Sequence, residues 1–208
     1  MKILIIDDHD IVRQGVRRLL GALPSAEITE AVSVDEAMTR FEADRPSVVI
    51  LDINLGGASG LDVLERILSV DPQARVVMFS MHADAGYASR ALKAGAVAFV
   101  SKSASADELV EAVKSVLAGR RFVDRRIAAE LAAIPKDGDP LDALTNRESE
   151  ILRLLGEGRS LNEIATTFGI AYKTVANTCT RMKEKLGVER TADLIRISIE
   201  RMGPRAPG

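Results

Sequence analysis

Five short apolar runs, separated by amphipathic segments of helical length, fill the first 118 residues of the chain. Each run has four or five residues and is apolar almost throughout, which is typical of a strand buried on both faces of a sheet. The runs are Ile3–Ile6, Ile28–Val32, Val48–Leu51, Val76–Phe79 and Ala96–Val100. The helical segments are 9–21, 34–44, 59–69, 85–94 and 105–118. This alternation predicts an α/β fold, a doubly wound five-stranded parallel sheet with helices on both faces.

A second region begins after about residue 120. A basic patch is followed by a short helical piece at 127–134, and then by the segment 135–140, whose prolines, glycine and charges are typical of a linker. No strand pattern recurs beyond it. The basic patch consists of Arg120, Arg121, Arg125 and Arg126. The helices predicted in the second region are 146–156, 161–168, 172–186 and 191–201.

These patterns divide the chain into four parts. We predict an α/β domain at 1–120, a linker with a short helix at 121–140, a small all-α four-helix domain at 141–202 and a disordered tail at 203–208. Thr145 and Glu148 have the spacing of a capping box, which marks the start of the first helix of the second domain. Acidic residues outnumber basic ones before residue 140 and the reverse holds after it, which points to nucleic acid as a partner of the second domain.

Composition removes several classes of protein. A single cysteine, Cys179, excludes an internal disulfide framework and favours a reducing compartment. Two histidines with one cysteine are too few for a structural zinc site. The longest apolar runs have about six residues against the roughly 20 of a membrane span, and Asp7 and Asp8 lie where a signal peptide is still apolar. We therefore expect a cytoplasmic protein with no membrane partner.

Polar side chains follow four of the five predicted strands. Asp7 and Asp8 follow the first strand, Asp52 the third, Ser80 the fourth and Lys102 the fifth. Ligands of parallel α/β sheets bind at the carboxyl ends of the strands, so we expect these side chains in one cleft. Neighbouring carboxylates repel one another unless a cation lies among them, and oxygen ligands favour Mg²⁺. The metal, the ammonium and the hydroxyl would together hold a phosphoryl group on an aspartate, a known covalent phosphoryl acceptor.

Residues 1–120 resemble the receiver domain of two-component response regulators, which implies a flavodoxin-like fold. The residues that carry the resemblance are Asp7, Asp8, Asp52, Ser80, Phe99 and Lys102. The stretches Asp8–Gly15 and Ala91–Ala96 are similar to the NarL/FixJ subgroup. Gly56 stands where that family usually carries proline, and the adjacent Gly56 and Gly57 are expected to loosen the loop after Asp52.

The resemblance implies a role for each residue of the cleft. Asp52 is the expected phosphoacceptor, and a histidine kinase is the expected donor. The expected Mg²⁺ ligands are Asp7, Asp8, Asp52 and the backbone carbonyl of Asn54. Lys102 would pair with the phosphoryl oxygens, Ser80 would move toward the phosphoryl group, and Phe99 would swing inward behind it. The face formed by the helix at 85–94, the strand at 96–100 and the helix at 105–118 would change as a result.

The second domain has the pattern of a helix-turn-helix motif. Its two helices are separated by Gly169, a residue suited to the sharp turn of the motif. In the second helix an apolar stripe faces a core, and the opposite face is polar. Amide, hydroxyl and methyl groups contact base edges in DNA complexes, while lysine and arginine contact phosphates. By itself this pattern also fits an amphipathic helix with a solvated face. The apolar stripe consists of Val175, Cys179, Met182 and Leu186.

Residues 141–201 resemble a LuxR-type four-helix output domain, which implies that the 172–186 helix enters the major groove and that the 191–201 helix dimerises. The matching signature comprises Leu144-Thr145, Arg147-Glu148, Glu163-Ile164-Ala165, Lys173-Thr174-Val175, Asn177 and Lys185-Leu186-Gly187-Val188. The residues expected to face base edges are Ala176, Asn177 and Thr180. The residues expected to face the DNA backbone are Lys173, Thr174, Arg181 and Lys185.

Both resemblances together predict a phosphorylation-controlled, DNA-binding transcription regulator of a bacterial two-component system. Its expected partners are a sensor histidine kinase, double-stranded DNA and, on activation, a second copy of the chain. It would not be an enzyme, but a stoichiometric phosphoryl acceptor with slow self-dephosphorylation at most.

Three other functions fit parts of the sequence. An aspartyl-phosphate phosphohydrolase would use the same cleft, but it needs an acid two residues after the nucleophile, where this chain has Asn54. A binding module that does not respond to phosphate is compatible with the second domain. A flavin-binding protein shares the predicted fold, but Asp7 and Asp8 would repel the flavin phosphate.

Overall fold

The computed structural model describes residues 1–55, 58–81, 85–133 and 140–202. The chain divides into two compact units, Met1–Ile134 and Pro135–Gly208. Three expectations fall outside the described residues: the loosened loop at Gly56 and Gly57, the linker character of residues 135–139, and the disorder of the tail at 203–208.

A six-stranded parallel sheet forms the centre of the first unit. The strands in chain order are β1 (Lys2–Ile6), β2 (Glu27–Ala31), β3 (Val48–Leu51), β4 (Asn54–Leu55), β5 (Ala58–Ser59), β6 (Val76–Ser80), β7 (Ala98–Ser101) and β8 (Phe122–Val123). The sheet has the order β2-β1-β3-β6-β7-β8, and β4 pairs separately with β5 as an antiparallel ribbon. The predicted doubly wound fold is confirmed, but the prediction of five parallel strands is wrong. The sixth strand, β8, has only two residues, which Arg121 and Asp124 flank, and an apolar run this short does not reveal a strand.

Helices cover both faces of this sheet. They are α1 (Asp10–Leu20), α2 (Val34–Asp44), α3 (Gly60–Val70), α4 (Ala85–Lys93), α5 (Ala106–Leu117) and α6 (Arg125–Ala132). Successive strand residues point to opposite faces, so an all-apolar strand supplies two cores. Ile3 and Ile5 of β1 pack with residues of α1 and α5 in one core cluster. The alternate residues Leu4 and Ile6 are also fully buried, and α2 packs against β1.

The second unit is helical throughout the part that the structure describes. A short 3₁₀ helix, Pro140–Ala143, precedes α7 (Asn146–Gly156), α8 (Leu161–Thr167), α9 (Tyr172–Leu186) and α10 (Thr191–Met202). The predicted capping box of Thr145 and Glu148 is confirmed by both of its hydrogen bonds. Gly169, between α8 and α9, has a φ of 62°, a conformation that glycine adopts without strain.

The core of the second unit lies between these helices. The apolar stripe of α9 is buried there, including Cys179, and burial raises the pKa of its thiol. α10 packs against α7 and α9. No helix among the described residues is long and apolar enough to traverse a bilayer.

Candidate functional site

An acidic pocket lies at the carboxyl ends of β1 and β3, which are neighbours in the sheet. Asp7 and Asp52 are 2% and 4% exposed, whereas Asp8 is exposed to solvent. One ligand atom from each of Asp7, Asp8, His9 and Asp52 lies within 4.8 Å of the others. Ligand atoms on opposite sides of one Mg²⁺ are about 4 Å apart, so this spacing and the hard carboxylate oxygens fit a single ion of that kind.

Lys102 crosses the pocket from the end of β7. Its Nζ lies 2.6 Å from Asp7 Oδ2 and 2.7 Å from Asp52 Oδ2, and its side chain is only 5% exposed. β6 separates β7 from β3 in the sheet, so a long side chain is needed to span that distance. One buried ammonium thus bridges two buried carboxylates that are 45 residues apart in sequence, and Asp8 remains open to solvent.

The environment of Asp52 alters its acidity. Burial raises the pKa of Asp52 to about 6, and the nearby Asp7 carboxylate adds to the rise. The Lys102 ammonium opposes both effects through its charge and its hydrogen bond. A raised pKa in a cleft with a specific charged partner is typical of functional sites. A cation bound beside Asp52 would favour its ionised form.

Two neighbours of the carboxylates did not enter the sequence prediction. The His9 backbone N–H donates to Asp7 Oδ1 at 2.8 Å, and His9 Nδ1 lies 2.8 Å from Asp8 Oδ1. Arg13 of α1 donates through Nη1 to the Asp7 carbonyl at 2.9 Å. Both residues lie in the stretch Asp8–Gly15 that carries the resemblance. Their closeness in sequence to Asp7 and Asp8 could therefore have indicated that they contact these carboxylates.

Gly60, the first residue of α3, closes the loop that follows Asp52. Its N–H donates to the Ile53 carbonyl, and a Cβ at this position would lie 2.1 Å from the Asp52 carbonyl oxygen. Only glycine allows α3 to begin so close to the Asp52 backbone. No sequence motif indicates this contact, since the two segments meet only in the folded chain.

The remaining predicted residues of the cleft lie on or beside the strands as expected from their positions. Ser80 ends β6 and is fully buried, and Phe99 is fully buried on β7. Asn54 is half-buried in the β4–β5 ribbon. The Lys102 N–H donates to the Ser80 carbonyl at 2.8 Å, which joins the ends of β6 and β7. Direct side-chain contacts link His9 to Asp7 and Asp8, and Lys102 to Asp7 and Asp52.

The helix α9 presents a polar surface on the side opposite its buried stripe. Most of the predicted DNA contacts are exposed there, and Ala176 is half-buried. Four of these residues line a shallow depression on the surface. Tyr172 at the start of the helix is 52% exposed, which is unusual for so large a ring. The exposed predicted residues are Lys173, Thr174, Asn177, Thr180, Arg181 and Lys185.

Two side chains on α9 have partners within the second unit. Thr178 is buried, donates to the Thr174 carbonyl and accepts from Arg181 Nη2 at 3.3 Å. Lys185 Nζ donates to Glu148 Oε2 at 2.6 Å, which ties α9 to the start of α7. Burial alone would raise the pKa of Glu148, but hydrogen bonds from Lys185 and Thr145 outweigh it and hold this pKa below its ordinary value.

Both units match described protein families. Residues 3–114 match the response regulator receiver domain, and residues 142–198 match the LuxR family of bacterial regulatory proteins.

Two relatives align with nearly the whole chain. The chain is 38% identical to the transcriptional activator protein ExaE of Pseudomonas putida, over 96% of both chains. It is also 38% identical to the DNA-binding transcriptional activator DevR/DosR of Mycobacterium tuberculosis, over 100% of this chain and 98% of that protein.

Solved structures agree in fold. A LuxR-family response regulator from Aurantimonas is 38% identical, with a TM-score of 0.61 over 63% of this chain and 94% of that one. A structure of RcsB from Salmonella typhimurium is 23% identical, with a TM-score of 0.72 over 97% of this chain and 98% of that one.

Proposed function

The chain belongs to the bacterial response regulators that join a receiver domain to a LuxR-type DNA-binding domain, and we propose that phosphorylation of Asp52 controls its binding to DNA. It is a DNA-binding transcription regulator rather than an enzyme. The observation that carries the proposal is the Lys102 ammonium between Asp7 and Asp52. This contact places a positive charge beside the carboxylate that would receive the phosphoryl group.

The proposed reaction is transfer from a phosphohistidine of a sensor kinase to Asp52. An Asp52 oxygen forms the new O–P bond, the N–P bond breaks, and its electron pair returns to the imidazole nitrogen, which takes up a proton. Mg²⁺, held by Asp7, Asp8, Asp52 and the Asn54 carbonyl, would neutralise charge on the phosphoryl oxygens. Lys102 is within 2.7 Å of Asp52 Oδ2 and would remain next to the phosphoryl oxygens after transfer.

The consequence of transfer is a population shift within the receiver. Ser80 and Phe99 lie buried on the two strands β6 and β7, so repositioning either side chain requires its neighbours to repack. We propose that phosphorylation moves both, changes the face formed by α4, β7 and α5, and favours a homodimer that matches a two-fold DNA site.

DNA recognition is assigned to the exposed face of α9. Ala176, Asn177 and Thr180 would contact base edges, and Lys173, Thr174 and Arg181 would contact phosphates. Lys185 would reach a phosphate only after leaving Glu148. The DNA-binding activity named for DevR/DosR, which aligns over the whole chain, supports this assignment. A protein with these partners would act in the cytoplasm.

The test is covalent labelling of the full chain by a small phosphodonor in the presence of Mg²⁺. We expect intact-mass spectrometry to find one phosphoryl group on the wild-type protein and none on Asp52→Asn. Asp35→Asn, which changes an exposed carboxylate in α2, is the matched control and should label as the wild type does. A labelled Asp52→Asn protein would refute the assignment.

A further inference from the structure

The segment that follows the receiver match folds onto the receiver itself. The family match ends at residue 114, but β8 and α6 belong to the first compact unit. β8 pairs in parallel with β7, with Ala98 opposite Phe122 and Phe99 opposite Val123. α6 packs against α4. The strand β7, which carries Phe99 and leads to Lys102, is therefore flanked by β8 and does not lie at the edge of the sheet.

One buried carboxylate joins this segment to the end of β7. Asp124 follows β8 and is 1% exposed. Its Oδ2 accepts from the Ser101 N–H at 2.8 Å, and its Oδ1 accepts from the Ile127 N–H at 2.9 Å in the first turn of α6. Its own N–H donates to the Phe99 carbonyl at 3.1 Å. Asp124 thus contacts β7 through both backbone and side chain while it caps α6.

Helix capping explains only one of these three hydrogen bonds, the one from the Ile127 N–H. An N-cap needs one acceptor, which Ser, Thr or Asn also supplies. The second oxygen continues the hydrogen-bond ladder of β7 where β8 has ended. Neighbouring N–H groups of a strand point to opposite sides, and here the Lys102 N–H binds the Ser80 carbonyl while the Ser101 N–H binds Asp124. The backbone at Ser101 and Lys102 is thereby held on one side by Ser80, a predicted switch residue, and on the other side by Asp124, the cap of α6.

We propose that Asp124 is a positioning residue that couples the Lys102 end of β7 to α6. The inference rests on the proposed role of Asp52 and specifies how its phosphorylation reaches the segment that leads along the chain to the second unit. A displacement of Lys102 or Phe99 toward a phosphoryl group moves the Ser101 and Phe99 backbone. Asp124 transmits that movement to the first turn of α6, because its two buried oxygens hold the N–H groups of Ser101 and Ile127 together.

Glu108 provides a second and weaker tie at the same point. Its Oε1 accepts from the Arg125 N–H at 3.2 Å, while its Oε2 belongs to the capping box of α5 with Ser105. This contact is exposed, so water competes with it. The first turn of α6 is therefore linked to β7 by a buried carboxylate and to α5 by an exposed one, and the buried link is the one expected to transmit strain.

The experiment is hydrogen exchange of the full chain with Mg²⁺, with and without a beryllofluoride phosphoryl mimic, in wild type, Asp124→Asn and Asp124→Ser. Both replacements keep one acceptor for the α6 cap and remove the second acceptor that Ser101 requires. Ser33→Ala, which removes the N-cap of α2, is the control for loss of a cap elsewhere. Only variants that retain the wild-type far-UV spectrum are compared, and two replacements are made so that one folded variant suffices.

In the wild type we expect the mimic to change exchange both at 99–103 and at 125–132. In the Asp124 variants the change at 99–103 persists and the change at 125–132 is lost, while Ser33→Ala keeps both. If the variants keep both changes, the coupling role is overturned and the proposed function stands. If the wild type shows no change at 99–103, the proposed function itself fails, and the coupling fails with it.

Discussion

The acidic pocket and the exposed face of α9 satisfy their charges in opposite ways. In the pocket, two buried carboxylates share one buried ammonium, so the groups are partners of one another. On α9, the polar side chains predicted to contact DNA lie mostly in solvent. In the proposed function, a metal and a phosphoryl group would rearrange the internal ion pairs of the pocket. A site for a large polyanion is left open for its partner.

This difference determines how much each site contributes to folding. Burying a charged group costs desolvation free energy, and the raised pKa of Asp52 reflects this cost. Exposed side chains on α9 cost little and stabilise little. Substitutions in the pocket should therefore change stability and phosphorylation together. Substitutions on the face of α9, apart from those at Lys185, should change DNA binding alone.

The largest expected effect follows removal of the shared ammonium. Lys102→Ala leaves Asp7 and Asp52 without their common cation, and we expect the rate of phosphorylation by a small phosphodonor to fall by about 10²-fold. The pKa of Asp52 should rise above the wild-type value of about 6, because the charge and the hydrogen bond of Lys102 both lower it. Mass spectrometry of the labelling time course measures the rate, and Lys114→Ala on the exposed side of α5 is the control. An unchanged rate would show that the charge of Lys102 has no part in the reaction.

The next effect is a dependence of stability on pH that belongs to Asp52. Its pKa rises from 3.8 to about 6 on folding, so between these values the folded state binds more protons than the unfolded state. The free energy of unfolding therefore increases as pH falls through this window, by about 3 kcal/mol at most from this residue. Well above pH 6, Asp52 is ionised in the folded state, and the full free-energy cost of burying its charge is present.

Denaturant unfolding is followed by a signal of the first unit at several pH values, in wild type and Asp52→Asn. The difference between the two free energies of unfolding at each pH gives the contribution of the Asp52 carboxylate. Saturating Mg²⁺ should flatten the wild-type dependence, because a cation favours the ionised carboxylate. A difference that does not vary with pH in metal-free buffer would contradict the burial argument.

The two sites were also unequally predictable from sequence. The rule that ligands bind at the carboxyl ends of parallel strands indicated Asp7, Asp52 and Lys102 correctly as neighbours, since buried strands give the clearest sequence pattern. Sequence analysis did not identify Gly60 and Asp124, because each acts through contact with the backbone of another segment of the folded chain. The strand β8 escaped because two residues carry no periodicity.

On α9 the periodicity predicted which side faces the core, and the buried stripe confirms that prediction for Val175, Cys179 and Met182. It did not reveal that Thr178 is buried or that Lys185 pairs with Glu148. A helical period of 3.6 residues predicts which face of the helix is buried. The burial and pairing of residues at the edge of that face depend on the side chains of the neighbouring helices.

The third prediction separates base from phosphate contacts on the open face. Asn177→Ala should weaken binding to a site selected from genomic DNA by about 1 to 3 kcal/mol and leave binding to random DNA unchanged. Lys173→Ala should weaken both and reduce the slope of log affinity against log salt by about 1. Fluorescence anisotropy over a salt series measures both quantities, with Lys114→Ala as the charge control. If Asn177→Ala weakens both kinds of DNA equally, Asn177 is not a base contact.

The smallest expected effect concerns Lys185. It is the predicted DNA contact whose charge is paired within the protein, as the charges of the acidic pocket are. Glu148 is 3% exposed and its oxygen holds Lys185, so this pair is internal although Lys185 lies on α9. Glu148→Gln should destabilise the second unit by about 1 kcal/mol, because the Lys185 side chain is 35% exposed and partly screened by water.

The pH dependence of the Glu148 pair runs opposite to that of Asp52. The pKa of Glu148 is lowered on folding, so its contribution is present above the ordinary value of 4.5 and is lost as pH falls through the folded value. Thermal unfolding of wild type and Glu148→Gln at pH 7 and in the acidic range measures both predictions, and Glu200→Gln, in an exposed pair with Arg196, is the control. Equal stabilities at pH 7 would mean that Lys185 is free to contact DNA, and α9 would then be open along its whole polar face.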